Sequence, residues 1–288
     1  MKLSSRHYFH LLAALAVLVL SVSASSQGNS AATPPLSPED FRKYSGLFAA
    51  FGRVIQKAQG QVEVPAPRSQ SRLLPLLPES TILYAAFSNY GEASHQLMKM
   101  FQDELRDDAD LRQWWTSGDM ATQGPKIEET LEKYYQLCQY LGDEVVVSAA
   151  DRGKQNPAVL ILAEVRKPGL KDFLQQSVKL AGNISIPRVL DASELAVAKD
   201  SPGPAVLVLP DLLVAAGDLT TLRHFNEQLE HKNQVFLSTA FGQRLAQSYH
   251  EGLTGVAGAD MQRVLRNLVD ASPVSDGSGP RSRRLTVI

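Results

Sequence analysis

Glu144-Val145-Val146-Val147-Ser148-Ala149-Ala150, a polar stretch from Asp151 to Pro157, then Ala158-Val159-Leu160-Ile161-Leu162-Ala163-Glu164-Val165 is the passage that decides the fold. Two apolar, β-branched runs are separated by a turn holding Gly153 and Pro157, which predicts an antiparallel hairpin. Upstream, Thr81 to Phe87 reads as a strand ending at Ser88-Asn89. A helix is expected from Tyr90 to about Arg106, with Asn89 as its cap and Glu92 closing a capping box. A short helix holds Leu111, Trp114 and Trp115, where one tryptophan of the pair should be core and the other exposed. Ile127, Leu131, Tyr134, Cys138 and Leu141 then mark the apolar stripe of a helix over 126–141.

Downstream, Pro168 opens a helix running through Leu174 and Val178 to Leu180. Leu195 to Ala198 and Ala205 to Leu209 flank Pro202-Gly203-Pro204 and are expected as a second hairpin, followed by a strand at Leu212 to Ala216. Asp218 caps a helix carrying Leu219, Leu222, Phe225 and Leu229, and Asp260 starts the last one, with Met261, Val264, Leu265 and Leu268 on one side. A weak repeat emerges: Leu83 to Asn89, Leu213 to Asp218 and Thr254 to Asp260 are each a small-residue strand ending in Asn or Asp before a helix. The class expected is therefore α+β, an antiparallel-rich sheet of hairpins and strand-helix units with helices packed on it. Stopping after a strand-helix unit suggests the front part of a longer architecture with an open sheet edge.

The full chain has 288 residues, 44% apolar and 20% charged, a composition that excludes wholesale disorder. Lys and Arg number 29 against 30 Asp and Glu, so there is no broad positive field and nucleic acid is not expected as a partner. Lys2 and Arg6 precede Leu11 to Leu20, ten residues without a polar side chain, and Val22-Ser23-Ala24 supplies a signal-peptidase site. That layout predicts a signal peptide over 1–24, export to the periplasm or beyond, and a mature start at Ser25. An uncleaved anchor in the inner membrane is the alternative, although spanning needs about 20 apolar residues. Loss of Lys2 and Arg6 with no acid takes the net charge from -1 to -3. One cysteine, Cys138, suits a bacterial envelope better than a eukaryotic secretory route, where the sequon Asn183-Ile184-Ser185 would matter.

The expected organisation continues with a flexible leader over 25–36, an amphipathic helix over 37–60 and a Pro-rich tether over 61–78. An α+β domain over 79–270 and a disordered tail over 271–288 complete it. The helix starts at Ser37-Pro38-Glu39-Asp40, and its face of Phe41, Tyr44, Leu47, Phe48, Phe51, Val54 and Ile55 must be buried on the main domain or, alternatively, on a membrane surface.

Leu77-Pro78-Glu79-Ser80-Thr81 leading to Tyr84, Tyr140-Leu141-Gly142-Asp143-Glu144 leading into Val145 to Val147, and the helix at Asp260 together resemble an exported bacterial family known only as a domain of unknown function, over about Leu74 to Asp270. The resemblance implies an envelope protein, often longer than this chain, and no catalytic residue.

Reactive constellations are missing from the sequence. His250-Glu251 begins a zinc-protease motif, but position 254 is Thr; His224 and His231 are seven apart, too far for a helical ligand pair. No Gly-x-Ser-x-Gly elbow or Ser-x-x-Lys occurs in the core, Gly277-Ser278-Gly279 lies in the tail, and Gly255 and Gly258 make no phosphate loop. Asp103, Glu104, Asp107, Asp108 and Asp110 around Arg106 and Arg112 read as a solvated helix face rather than a calcium loop. Cys138, on an apolar stripe, reads as a buried and inert thiol. No catalytic, cofactor-binding or metal-binding residue is therefore assigned, and no cofactor is expected. The functional expectation is an exported, non-enzymatic structural or binding module whose partner is an envelope protein. One alternative is a carrier for an apolar ligand with Phe41 to Ile55 as its lid, and another is a hydrolase using His250, Glu251 and Asp260.

Overall fold

The computed structural model describes residues 45–153, 155–180, 187–231 and 235–271. Among these the chain is mixed α/β, with nine α-helices and a seven-stranded, mostly antiparallel sheet. It divides into two compact units: residues up to Ala66 with Asn89–Asp143 and Arg166–Pro168, and Pro67–Ser88 with Glu144–Val165 and Gly169 onward. The single domain expected over 79–270 is thus two, because the helices between the first two strands build a core of their own.

That first unit holds α1 (Ser45–Gln61), α2 (Gly91–Asp107), α3 (Ala109–Trp115) and α4 (Met120–Cys138). Ala50 and Val54 of α1 are buried with Phe101 and Leu111. Phe51 meets Trp114 edge-on at 5.5 Å, and Phe101 meets Trp115 at 4.8 Å, so both tryptophans are half-buried rather than one in and one out. The start signal at Ser37-Pro38 lies outside the described residues. Helix α4 begins earlier than its stripe implied and carries Pro125 inside. Asn89 does not close a capping box: its Oδ1 accepts from Gly91 N, and its amide donates to the carbonyls of Cys138 and Gly142. Gly91 is required there, since a Cβ would stand 2.2 Å from that of Cys138.

The second unit is built on β1 (Thr81–Ser88), β2 (Leu141–Ala150), β3 (Ala158–Val165), β4 (Arg188–Leu190), β5 (Pro202–Val208), β6 (Leu212–Asp218) and β7 (Gly255–Ala259). Their order is β4-β5-β6-β3-β2-β1-β7, and of the described pairings only β4 with β5 is parallel. Helices α5 (Leu170–Leu180), α6 (Ala192–Val197), α7 (Leu219–Glu230), α8 (Ala240–Tyr249) and α9 (Met261–Ala271) complete it. Val146, Leu160, Leu162 and Leu207 meet Leu222 and Phe225 of α7 in the core of this unit.

The second hairpin is corrected. Asp191 and Glu194 form a reciprocal capping box, which turns 192–197 into α6 and drives Leu195 into the core. Arg188–Leu190 takes the place beside β5 instead. The expected tether is corrected too: Leu73, Leu74 and Leu77 are almost wholly buried, a short 3-10 turn spans Leu74–Leu76, and Arg68 bridges to Leu253. Proline excludes a helix there, but apolar side chains still bury without one. Two of the three expected strand-cap-helix units hold, since Asp218 accepts from Thr221 N and Asp260 from Arg263 N, three residues on, whereas Asn89 accepts from Gly91 N, two residues on, and leaves its helix without a side-chain cap.

Candidate functional site

Tyr84, Glu144 and Ser88 lie on the core side of the sheet because they share the parity of Ala86 and Val146 on paired strands. Tyr249, at the end of α8, and Arg68 and Ser71, before the 3-10 turn, converge on them. The Glu144 Oε1 accepts from the Tyr249 hydroxyl at 2.5 Å and Oε2 from Ser71 Oγ at 2.6 Å, and Arg68 Nη2 stands 3.4 Å from Oε1. Arg68 Nη1 donates to Ser88 Oγ at 2.6 Å, which donates to the carbonyl of Thr254. Tyr249 has one proton and gives it to Glu144, so Tyr84, 2.7 Å away, donates to Tyr249.

This cluster has the residue types of an active site but not the chemistry. Burial raises both phenols, Tyr249 to about 12, with Glu144 beside it adding to the shift, and Tyr84 further still. Neither serves as a base or nucleophile near neutral pH. The carboxylate accepts two hydrogen bonds and faces the Arg68 guanidinium, and Ser88 ties the cluster on to the carbonyl of Thr254. Its effect is to fasten residues 68–71 and the end of α8 to the sheet.

The opposite face of the sheet has another character. Leu83 stands between Ala149 and Ala259, Ala85 between Val147 and Ala257, and Phe87 between Val145 and Gly255. Further along, Ile161 pairs with Ala215 and Ala163 with Leu213, and Val206 with Ala215. No charged or hydrogen-bonding side chain occupies any of these positions. Yet Leu83, Phe87, Val159 and Ile161 are 44, 41, 48 and 39% exposed. Near-continuous apolar strands are normally covered on both faces. That was the signal available in Val145–Val147 and Val159–Ala163, which a hairpin reading alone passes over.

The third region is a polar cleft of about 410 Å³ lined by Glu79, Thr239, Asp260, Arg263 and Arg266. Arg263 is engaged by Asp260 at 3.6 Å and by the carbonyl of Glu79.

The residues of the hydrolase alternative are not assembled. His250 and Glu251 are exposed at the end of α8, and Asp260 is engaged with Arg263. His224 and His231 are exposed, and Gly255 and Gly258 belong to β7. Cys138 is buried and its thiol is pushed up by that burial. The acidic cluster is corrected: Glu104 is 3% exposed, bonded by Arg53 at 2.5 Å and Lys57 at 2.7 Å, both reaching from α1, while Asp108 caps α3 and pairs with Arg53. The face of α1 expected as a lid is engaged on α2 and α3 by these ion pairs and by Phe51. Gly277 to Gly279 and the sequon at Asn183 lie outside the described residues. Among the described residues no group of three or more His, Cys, Asp or Glu is arranged to hold a metal ion, and no helix is long and apolar enough to cross a membrane. Comparison with protein-family models, curated proteins and solved structures finds no match to this chain.

Proposed function

We propose that this chain is an exported, non-enzymatic binding module of the bacterial envelope, and that its contact surface is the outer face of the sheet. The observation that carries the reading is the part of that face around Leu83, Phe87, Val159 and Ile161, apolar residues that are 44, 41, 48 and 39% exposed. Exposed apolar surface on this scale marks interaction sites in soluble proteins. The polar groups that resemble a catalytic set are closed on one another. Lys2, Arg6 and the run Leu11–Leu20 support export.

A photoreactive phenylalanine analogue at Phe87 or Ile161, activated in cells, is expected to give discrete adducts, whereas the same group at exposed Gln243 gives none. Adduct patterns alike at all three positions would sink the reading. Intact mass of the envelope-extracted protein is expected to correspond to a start at Ser25.

A further inference from the structure

We infer that α9, together with the arginines that follow it in the sequence, is a membrane-surface element that lies in the interface of an anionic phospholipid bilayer. The inference is independent of the outer face of the sheet.

The orientation of the helix is the first argument. A helix docked on a domain normally turns its apolar side inwards. In α9 the polar side meets the body: Arg263 donates to the carbonyl of Glu79 at 3.1 Å and stands 3.6 Å from Asp260. At about 100° per residue, Met261 and Leu265 lie within about 40° of each other on the side away from Arg263. They are 55 and 54% exposed, and exposed Gln262 and Arg266 border them. An apolar stripe edged by a long cation is the pattern of a helix lying in a membrane interface, where the guanidinium reaches the headgroups while its stem stays along apolar surface.

Charge is the second. From Met261 to Ile288 the sequence has Arg263, Arg266, Arg281, Arg283 and Arg284 against Asp270 and Asp276, a net charge of +3. The whole chain is at -1, so the 260 residues before this stretch carry -4. The basic end thus complements anionic headgroups, which attract each Lys or Arg brought near the surface. Helix α1, the other amphipathic helix with an exposed apolar residue, offers no such surplus, because its Arg53 and Lys57 are engaged by Glu104.

Size separates lipid from protein. The 11 residues of α9 make a helix about 16 Å long and about 10 Å wide, or about 160 Å² in projection. A standard protein interface uses roughly 800 Å² per partner. A bilayer sets no such minimum, since apolar burial and the attraction of each arginine add up on a surface of any extent.

Co-sedimentation of the purified chain from Ser25 to Ile288 with vesicles is the test, phosphatidylglycerol and phosphatidylcholine in equal parts against phosphatidylcholine alone. Binding to the anionic vesicles is expected to be at least about tenfold tighter, and to weaken at least about tenfold between about 0.05 and about 0.5 M salt. Leu265→Asp should weaken it at least about tenfold, as should Gln at Arg281, Arg283 and Arg284 together, whereas Ile161→Asp on the sheet should leave it unchanged. Circular dichroism confirms that each variant is folded, and Leu265→Gln repeats the test if the aspartate does not fold. No binding to anionic vesicles overturns the inference, as does equal binding to both compositions, binding indifferent to Leu265→Asp, or a dimer in sedimentation velocity that Leu265→Asp dissolves while vesicles are ignored. Binding lost through Ile161→Asp and kept in Leu265→Asp also overturns it, by moving the membrane contact to the sheet. The in-cell adducts at Phe87 and Ile161 report on the sheet alone, so either reading can fail without the other.

Discussion

Glu104 and Glu144 are the two buried acids among the described residues, and they are compensated in opposite ways. Glu104 is met by Arg53 and Lys57, long cations from one helix whose side chains stay 45 and 43% exposed. Glu144 is met by a phenol, a hydroxyl and a guanidinium drawn from residues 68 to 249, all within the core of its own unit. A buried carboxylate can thus be satisfied from the solvent edge, where salt and acid reach it, or by a closed network that answers to geometry and alkali.

Each side of the comparison can be broken. The largest effect is expected from Leu162→Asp, which buries a charge without a partner and should leave the second unit unfolded by circular dichroism. Ile161→Asp, one residue along on the outer face, should shift the stability of the monomer by no more than about 0.5 kcal/mol. Equal damage from both would mean that the outer face is core. Glu144→Ala strands Arg68 and Tyr249 and is expected to cost about 3 to 5 kcal/mol in urea denaturation.

The pH dependences should also diverge. Hydrogen bonds from Lys57 and Arg53 hold Glu104 below the ordinary glutamate range, so its contribution is complete above its unfolded pKa and is lost as pH falls through the depressed folded value. Acid should weaken docking of α1 first, an effect absent in Glu104→Gln and visible as early loss of tryptophan fluorescence. Tyr249 is raised from 10 to about 12, so its contribution is whole below pH 10 and is lost between 10 and 12, as the unfolded chain ionises first. Ultraviolet titration should show neither Tyr84 nor Tyr249 ionising before the alkaline transition. A small effect of opposite sign tests the completeness of the network: the buried hydroxyl of Ser148 has no hydrogen-bond partner, so Ser148→Ala should stabilise by about 1 kcal/mol.

Strands and helix starts were legible because they are local. Asp218 and Asp260 cap the helices they precede, and the two runs from Glu144 to Val165 are strands, since a side chain reaching three residues and a turn of a few residues are written in consecutive positions. Leu195 to Ala198 was misread because four apolar residues suit a strand or a helix turn equally, and the deciding pair, Asp191 and Glu194, lies just outside the run. Neither buried acid was visible. Glu104 sits among acids that do face water, and the partners of Glu144 stand 73 and 105 residues away.

The order of residues alone determined that this chain builds an antiparallel-rich sheet with helices after its strands, and that it carries the layout of an export signal. Only the tertiary structure decided that Glu144, Tyr84, Tyr249 and Arg68 close on each other in the core, and that Leu83, Phe87, Val159 and Ile161 on the other side of the sheet stay partly exposed. Periodicity fixes which residues share a face, but what packs against that face depends on contacts between distant parts of the chain, and those exist only once it has folded.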